Sequence, residues 1–215
     1  MHAALLDSPG KISQLPLRIE EVPSPALSPG HVLLRVRACG VCRTDLHIVE
    51  GELPPRRQSL IPGHQIVGEI VDGGRPDLPF GMRVGVSWMG GVDGTCWYCR
   101  SGLENLCDAP TFTGYTVNGG YAESALVRAD FVFPLPQSLD DLEAAPLLCA
   151  GIIGFRSLRV AEVAAGEPVL RVSPGEGGIP GIDVFGIAVP PVISTPIRLP
   201  CTVFADVPGL AITMP

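Results

Sequence analysis

The chain has 215 residues, a formal net charge of −7, a pI near 5.0 and seven cysteines. That length can bury a real core, in one large domain or two modest ones, and the acidic balance argues against nucleic acid or an anionic membrane as the main partner. The start, Met1-His2-Ala3-Ala4-Leu5-Leu6-Asp7, lacks a secretory leader's basic residues and long apolar core, and no uninterrupted apolar run reaches bilayer length, so the cysteines read as reduced side chains of a cytoplasmic protein.

Residues 1 to about 135 read as short strands punctuated by turns. The runs are Leu17–Val22, His31–Arg37, Ile66–Val71, Arg83–Val86 and, after Gly119-Gly120, Tyr121–Val127. β-Branched runs bounded by Pro and Gly predict a compact, barrel-like β domain. Helical character begins after Ser138, where Ser138-Leu139-Asp140-Asp141 supplies an N-cap and acidic first turn ahead of Leu142–Ala145. Pro146 is expected to interrupt that turn, and Cys149 to about Ala164 reads as helix again, with Ile152, Phe155, Leu158 and Val163 at helical spacings. Beyond Gly166 prolines recur and charges nearly vanish, with Asp183, Arg198 and Asp206 alone in the last 33 residues. Gly181–Val189 is the remaining strand candidate there.

One loop carries the strongest chemical signal. Asp93, Cys96, Cys99 and Cys107 have two, two and seven residues between them in a glycine-rich stretch. Ligands two residues apart reach one ion from a tight turn, and zinc accepts thiolates and carboxylate at tetrahedral corners. Clustered thiols on a polar loop make poor core packing, which favours zinc over three unrelated cysteines. Cys42, His64 and Cys149 form a second set of ligand types. Taken singly they read as a small core residue, a hydrogen-bonded turn histidine and a helix-start thiol; taken together they suit a metal that keeps one position open.

The residues around that second set tip the balance. Cys39-Gly40-Val41-Cys42-Arg43-Thr44-Asp45-Leu46-His47, then Ile61-Pro62-Gly63-His64, then the Asp93–Cys107 loop, resemble the zinc-dependent alcohol dehydrogenases of the medium-chain dehydrogenase/reductase superfamily over about residues 1–170. The resemblance implies a GroES-like, partly open β-barrel catalytic domain, mainly β with short helices, and two zinc ions per chain. Cys42, His64 and Cys149 would hold the catalytic ion, a ligand set generally known for these enzymes, and Asp93, Cys96, Cys99 and Cys107 the structural one. Thr44 and His47 would relay the proton of a small alcohol or aldehyde substrate, Asp45 would orient His64, and Arg43 would face the pyrophosphate of NAD or NADP. A homo-oligomer is compatible with the sequence, which does not specify one.

Three departures qualify the resemblance. Gln65 stands where the family has glutamate after the ligand histidine, so an extra negative charge near the metal is missing. Asp93 replaces a cysteine, and its harder oxygen makes that site less zinc-selective. Most of a Rossmann domain is expected to be missing. Gly166–Leu170 would start its first strand, but Pro174-Gly175-Glu176-Gly177-Gly178-Ile179-Pro180-Gly181 makes a poor phosphate-binding turn, and too little chain follows for repeated βαβ units. The expected organisation is a catalytic domain over 1–148, a linker helix and strand start over 149–170, and an aberrant or poorly ordered proline-rich segment over 171–215. Out-of-frame reading of a GC-rich gene would give such a composition, and Lys11 as the single lysine fits that base bias. The lobe itself should expose apolar surface. Trp88 and Phe112 read as core or loop packing. Beside an alcohol dehydrogenase by ancestry stand a zinc-binding module without redox activity and an unstable fragment of a disrupted gene.

Overall fold

The structure is a computed structural model and describes residues 1–162, 171–174 and 180–183. Residues 1–159 form one compact unit, mainly β, with short helices. Its centre is a five-stranded antiparallel sheet. In chain order the strands are β1 (His2–Leu6), β2 (Leu17–Glu21), β3 (His31–Gly40), β4 (Gln65–Asp72), β5 (Arg83–Val86), β6 (Met89–Gly91), β7 (Thr111–Phe112), β8 (Ser124–Arg128) and β9 (Val132–Pro134). The central sheet runs β8-β3-β4-β5-β9, while β1 pairs with β2 and β6 with β7, so the barrel stays partly open.

Strand β4 is buried on both faces, which explains its near-continuous apolar run. Ile66 and Ile70 join Val32, Leu34, Val84 and Val86 in the barrel core, each at 0% exposure. Side chains of this size contribute about 1.5–3 kcal/mol each on full burial. Val67, on the opposite face, packs with Ala38, Ala144, Ala145 and Leu148. Along β3 the even positions Val32 and Leu34 face the barrel, but Ala38 faces the other way. The pairing with β4 slips between Val36 and Ala38, and such a bulge turns the following side chain to the opposite face.

Several elements differ from the sequence reading. His2–Leu6 is a strand, with Ala3 and Ala4 essentially buried. The strand after Gly119-Gly120 begins at Ser124, with Ala122 only bridging to Ala3. Arg43–Glu50 is a helix, α1, inside a region read as strands. A single helical turn, Trp97–Arg100 (α2), sits in the cysteine loop. Pro146 ends α3 (Asp141–Pro146) without breaking the path, because the chain continues through a wide π turn, Leu147–Gly151, into α4 (Ile152–Val160). Proline removes one N–H, and beyond it the chain winds more widely and closes with an i→i+5 bond from Ile152 N–H to Leu147 O. The N-cap of α3 is Asp140, whose carboxylate accepts from Glu143 N at 2.7 Å.

On α4, Ile152, Ile153, Phe155 and Val160 are exposed, in line with the expected uncovered apolar surface. The second unit, residues 160–215, contains an antiparallel pair, β10 (Arg171–Pro174) with β11 (Pro180–Asp183). No βαβ unit occurs among the described residues. The strand start at Gly166–Leu170, the centre of the glycine turn and residues 184–215 lie outside the described residues.

Candidate metal centres

The first centre is assembled at the start of α1. Cys42 is the helix N-cap: its sulfur accepts from Thr44 N at 3.3 Å, and Asp45, three residues on, returns a carboxylate oxygen to Cys42 N at 2.9 Å. This reciprocal cap satisfies two backbone donors that a helix start leaves unpaired. It also places a thiol at the positive end of the helix. Gly51 closes the helix with φ +81°, a conformation glycine adopts freely. A capping pattern with cysteine in the usual serine place, and Gly51 at the far end, were the available signals for α1.

His64 enters from the turn before β4. Its Nδ1 lies 3.2 Å from Asp45 Oδ1, and its Nε2 lies 3.3 Å from Cys42 Sγ. A carboxylate only accepts, so Nδ1 carries a proton in either charge state; Nε2 donates toward Cys42 in the imidazolium and offers its lone pair only once the ring is neutral. Cys149 comes from the π turn. One donor atom from each of Cys42, His64 and Cys149 lies within 4.8 Å of the others. Burial disfavours a charged His64 imidazole, but hydrogen bonds to Asp45 and Cys42 outweigh it and push His64 up to about 9. The hydrogen bond with Cys149, together with burial, pushes Cys42 up to about 12, and the same contact brings Cys149 down to about 7.

Around this cluster the predicted residues divide. Thr44 and His47 lie at i and i+3 on α1, on one face of the helix. Glu52, just past the Gly51 turn, contacts His47 Nδ1, a partner that no local motif singles out. Arg43 is the first helical residue and is exposed. Gln65 is 2% exposed, and its Oε1 has no hydrogen-bond partner. Gly40 makes room for it, since a Cβ there would sit 2.0 Å from that oxygen. Trp88 and Phe112 do pack, stacked at 4.8 Å with Tyr115 beside them, but the Trp88 ring also meets His64 edge-on at 5.2 Å. That aromatic wall shields one side of the cluster, a placement no local sequence signal announces.

The second centre is the loop Asp93–Cys107. One donor atom each of Asp93, Cys96, Cys99 and Cys107 lies within 4.8 Å of the rest. Asp93 Oδ1 accepts from Cys96 N at 2.8 Å and Thr95 N at 2.6 Å, and these bonds hold its carboxyl well below the usual range. Cys96 caps α2 by accepting from Cys99 N at 3.4 Å, and Cys107 Sγ accepts from Asp93 N at 3.4 Å. Both donor sets suit zinc. Two thiols plus an imidazole whose other nitrogen is tied to a carboxylate match a three-ligand site, and three thiols plus a carboxylate match a closed one. A dinucleotide finds no such fit: among the described residues only the exposed Arg43 is a candidate for it.

A partly open antiparallel barrel carrying a three-ligand cluster and a four-ligand loop defines a GroES-like domain of the alcohol dehydrogenase type. The alcohol dehydrogenase GroES-like domain family matches residues 28–137. An alcohol dehydrogenase of Geobacillus stearothermophilus is 45% identical over 155 residues, covering 71% of this chain and 46% of that protein. One from Rhizobium meliloti is 45% identical over 182 residues, covering 83% and 52%. Among solved structures, the cobalt- and zinc-bound thermostable alcohol dehydrogenase from Pyrobaculum aerophilum superposes with a TM-score of 0.69 at 28% identity, over 78% of this chain and 50% of that one. The chain belongs to the zinc-dependent alcohol dehydrogenases of the medium-chain dehydrogenase/reductase superfamily. It spans about half the length of the curated relatives it matches. No described helix is long and apolar enough to cross a membrane.

Proposed function

We propose that this chain provides the zinc-binding, alcohol-handling lobe of an alcohol dehydrogenase, acting on a small alcohol or the corresponding aldehyde with NAD or NADP as redox partner. The supporting observation is the convergence of Cys42, His64 and Cys149, drawn from a helix start, a turn and a π turn far apart in sequence. These three would hold the catalytic zinc, and Asp93, Cys96, Cys99 and Cys107 a structural one. When bound, the catalytic ion supplies a Lewis acid that eases loss of an alcohol proton.

The chain's own residues then have separate tasks. Asp45 keeps the His64 proton on Nδ1 and so fixes the ring's orientation. The Thr44 hydroxyl takes the substrate proton, and His47, on the same helix face, passes it toward water. Trp88 and Phe112 limit water at the His64 side. Arg43 offers a guanidinium to phosphate oxygens. The described residues provide no further dinucleotide platform, so the tasks assigned to this chain are metal binding, substrate orientation and proton movement. The domain division at 148 and 170 remains part of this proposal.

The test is cobalt substitution of the full chain, titrated with ethanol, longer primary alcohols and their aldehydes, alongside metal analysis and NAD(P)H formation. Two metal ions per chain and a cobalt spectrum that shifts with alcohol, but not in Cys42→Ser, are expected. Turnover with NAD(P) should be low. A metal-loaded chain whose spectrum ignores alcohols and aldehydes would leave a zinc-binding module without this chemistry.

A further inference from the structure

Cys149 reaches the first centre from a segment attached to the sheet at two points. The first is Asp141, the opening residue of α3. Its Oδ2 accepts from Arg37 Nε at 2.7 Å and its Oδ1 from Arg83 Nε at 2.6 Å. Arg37 belongs to β3 and Arg83 to β5, and β4 lies between them, so one carboxylate bridges two strands that do not pair with each other. Arg83 also donates to Pro136 O at 3.0 Å and its side chain is 14% exposed. The second point is Leu148, which packs where Gly85 leaves a gap; a Cβ on Gly85 would lie 2.5 Å from Leu148 Cδ2.

Between these points the chain has no loop. Asp141–Pro146 runs directly into the π turn Leu147–Gly151, so the heading of α3 sets where Cys149 emerges. At 1.5 Å of rise per residue, Cys149 stands about 12 Å along the axis from Asp141, and a tilt at the clamp is carried to the thiol. An exposed ion pair would hold such an element loosely, and the Arg37 arm is 46% exposed; the Arg83 arm, at 14%, is the shielded one, and the two arms together use both carboxylate oxygens. Arg83 already has Nη2 buried without a partner, so losing Asp141 leaves it poorly satisfied and favours a shift of the helix.

We propose that Asp141 is a positioning residue for Cys149: clamped between Arg37 and Arg83, it fixes the heading of α3 and holds the Cys149 thiol opposite Cys42 and His64. This rests on the reading of Cys42, His64 and Cys149 as a metal centre.

The experiment loads the full chain with Co(II) and follows the thiolate-to-cobalt absorption and the rate of cobalt release to a chelator, at a temperature where circular dichroism shows each variant folded. The variants are Cys149→Ser, Asp141→Asn, Asp141→Glu and Glu143→Gln, the last an exposed acid in the same turn. Asp141→Asn should reproduce part of the absorption loss of Cys149→Ser and release that cobalt about tenfold faster, the lower end of what partners of metal ligands contribute. Asp141→Glu should recover most of the signal, and Glu143→Gln should match the parent, while the Asp93–Cys107 centre keeps its cobalt throughout. If Asp141→Asn does not fold, Arg37→Gln, which removes one arm of the clamp, takes its place. An unchanged absorption and release rate in the folded clamp variant, with Cys149→Ser altered, overturns the role of Asp141 and leaves the metal centre standing. An unchanged Cys149→Ser spectrum instead removes the metal-centre reading and this inference with it.

Discussion

Asp45 Oδ1 lies 3.2 Å from His64 Nδ1, with the two residues 2% and 1% exposed. The same carboxylate caps α1 through Cys42 N, so one side chain orients two of the three candidate ligands. Asp45→Asn keeps the shape but allows the amide to donate to Nδ1, which would move the ring proton to Nε2. We expect zinc affinity at this centre to fall about 10–100-fold, measured by chelator competition. An unchanged affinity would show that backbone geometry alone orients His64.

Metal uptake at this centre should depend on pH in a specific way. In metal-free protein at pH 8, Cys42 (about 12) and His64 (about 9) hold their protons while Cys149 (about 7) has lost its own. Uptake should therefore displace about two protons at pH 8, about three below pH 6 and about one near pH 10. Affinity rises with pH throughout, most steeply on the acid side. Calorimetry in buffers of different ionisation enthalpy reads the proton count directly, with the Asp93–Cys107 centre already filled.

Replacing Asp93 by Cys should pull the second centre in two directions. A fourth soft thiolate should slow zinc release and sharpen selection against manganese and magnesium. The loop also loses the bonds from Thr95 N and Cys96 N to Asp93 Oδ1, so the metal-free form should melt earlier than the parent. Chelator release and thermal melts of loaded and stripped protein separate the two effects. Equal release rates would show that Asp93 does not contribute a ligand.

Gly63 precedes His64 and has φ +94°, with a Cβ there falling 2.5 Å from Tyr121 Cδ1 and 2.9 Å from Cys39 Sγ. Gly63→Ala combines a disfavoured backbone conformation with that collision. A loss of about 1–3 kcal/mol in urea unfolding is expected, with weaker metal retention because His64 must move too. A variant as stable as the parent would mean that the turn relaxes freely.

The ligand types were legible because their spacing is a local property. Asp93, Cys96, Cys99 and Cys107 sit within one loop, and their chemistry can be read from that short stretch. Cys42 and His64 could be singled out by their neighbours. Helix α1 was not legible among strands, since its eight residues are fixed by the reciprocal cap of Cys42 with Asp45 rather than by a long apolar stripe. The π turn was hidden for a related reason: Pro146 reads as a stop, yet five residues of wider winding carry the chain on into α4.

By itself the sequence determined the strand-rich character of the lobe, the two sets of donor atoms and the family, because hydrophobic patterning and ligand spacing are written along the chain. Tertiary structure alone decided that Ala38 turns away from the barrel at a bulge and that Trp88 meets His64 edge-on. It also decided that Asp141 ties together two strands with a third between them. These relations join residues distant in sequence, and only strand register and helix seating bring their side chains within bonding distance.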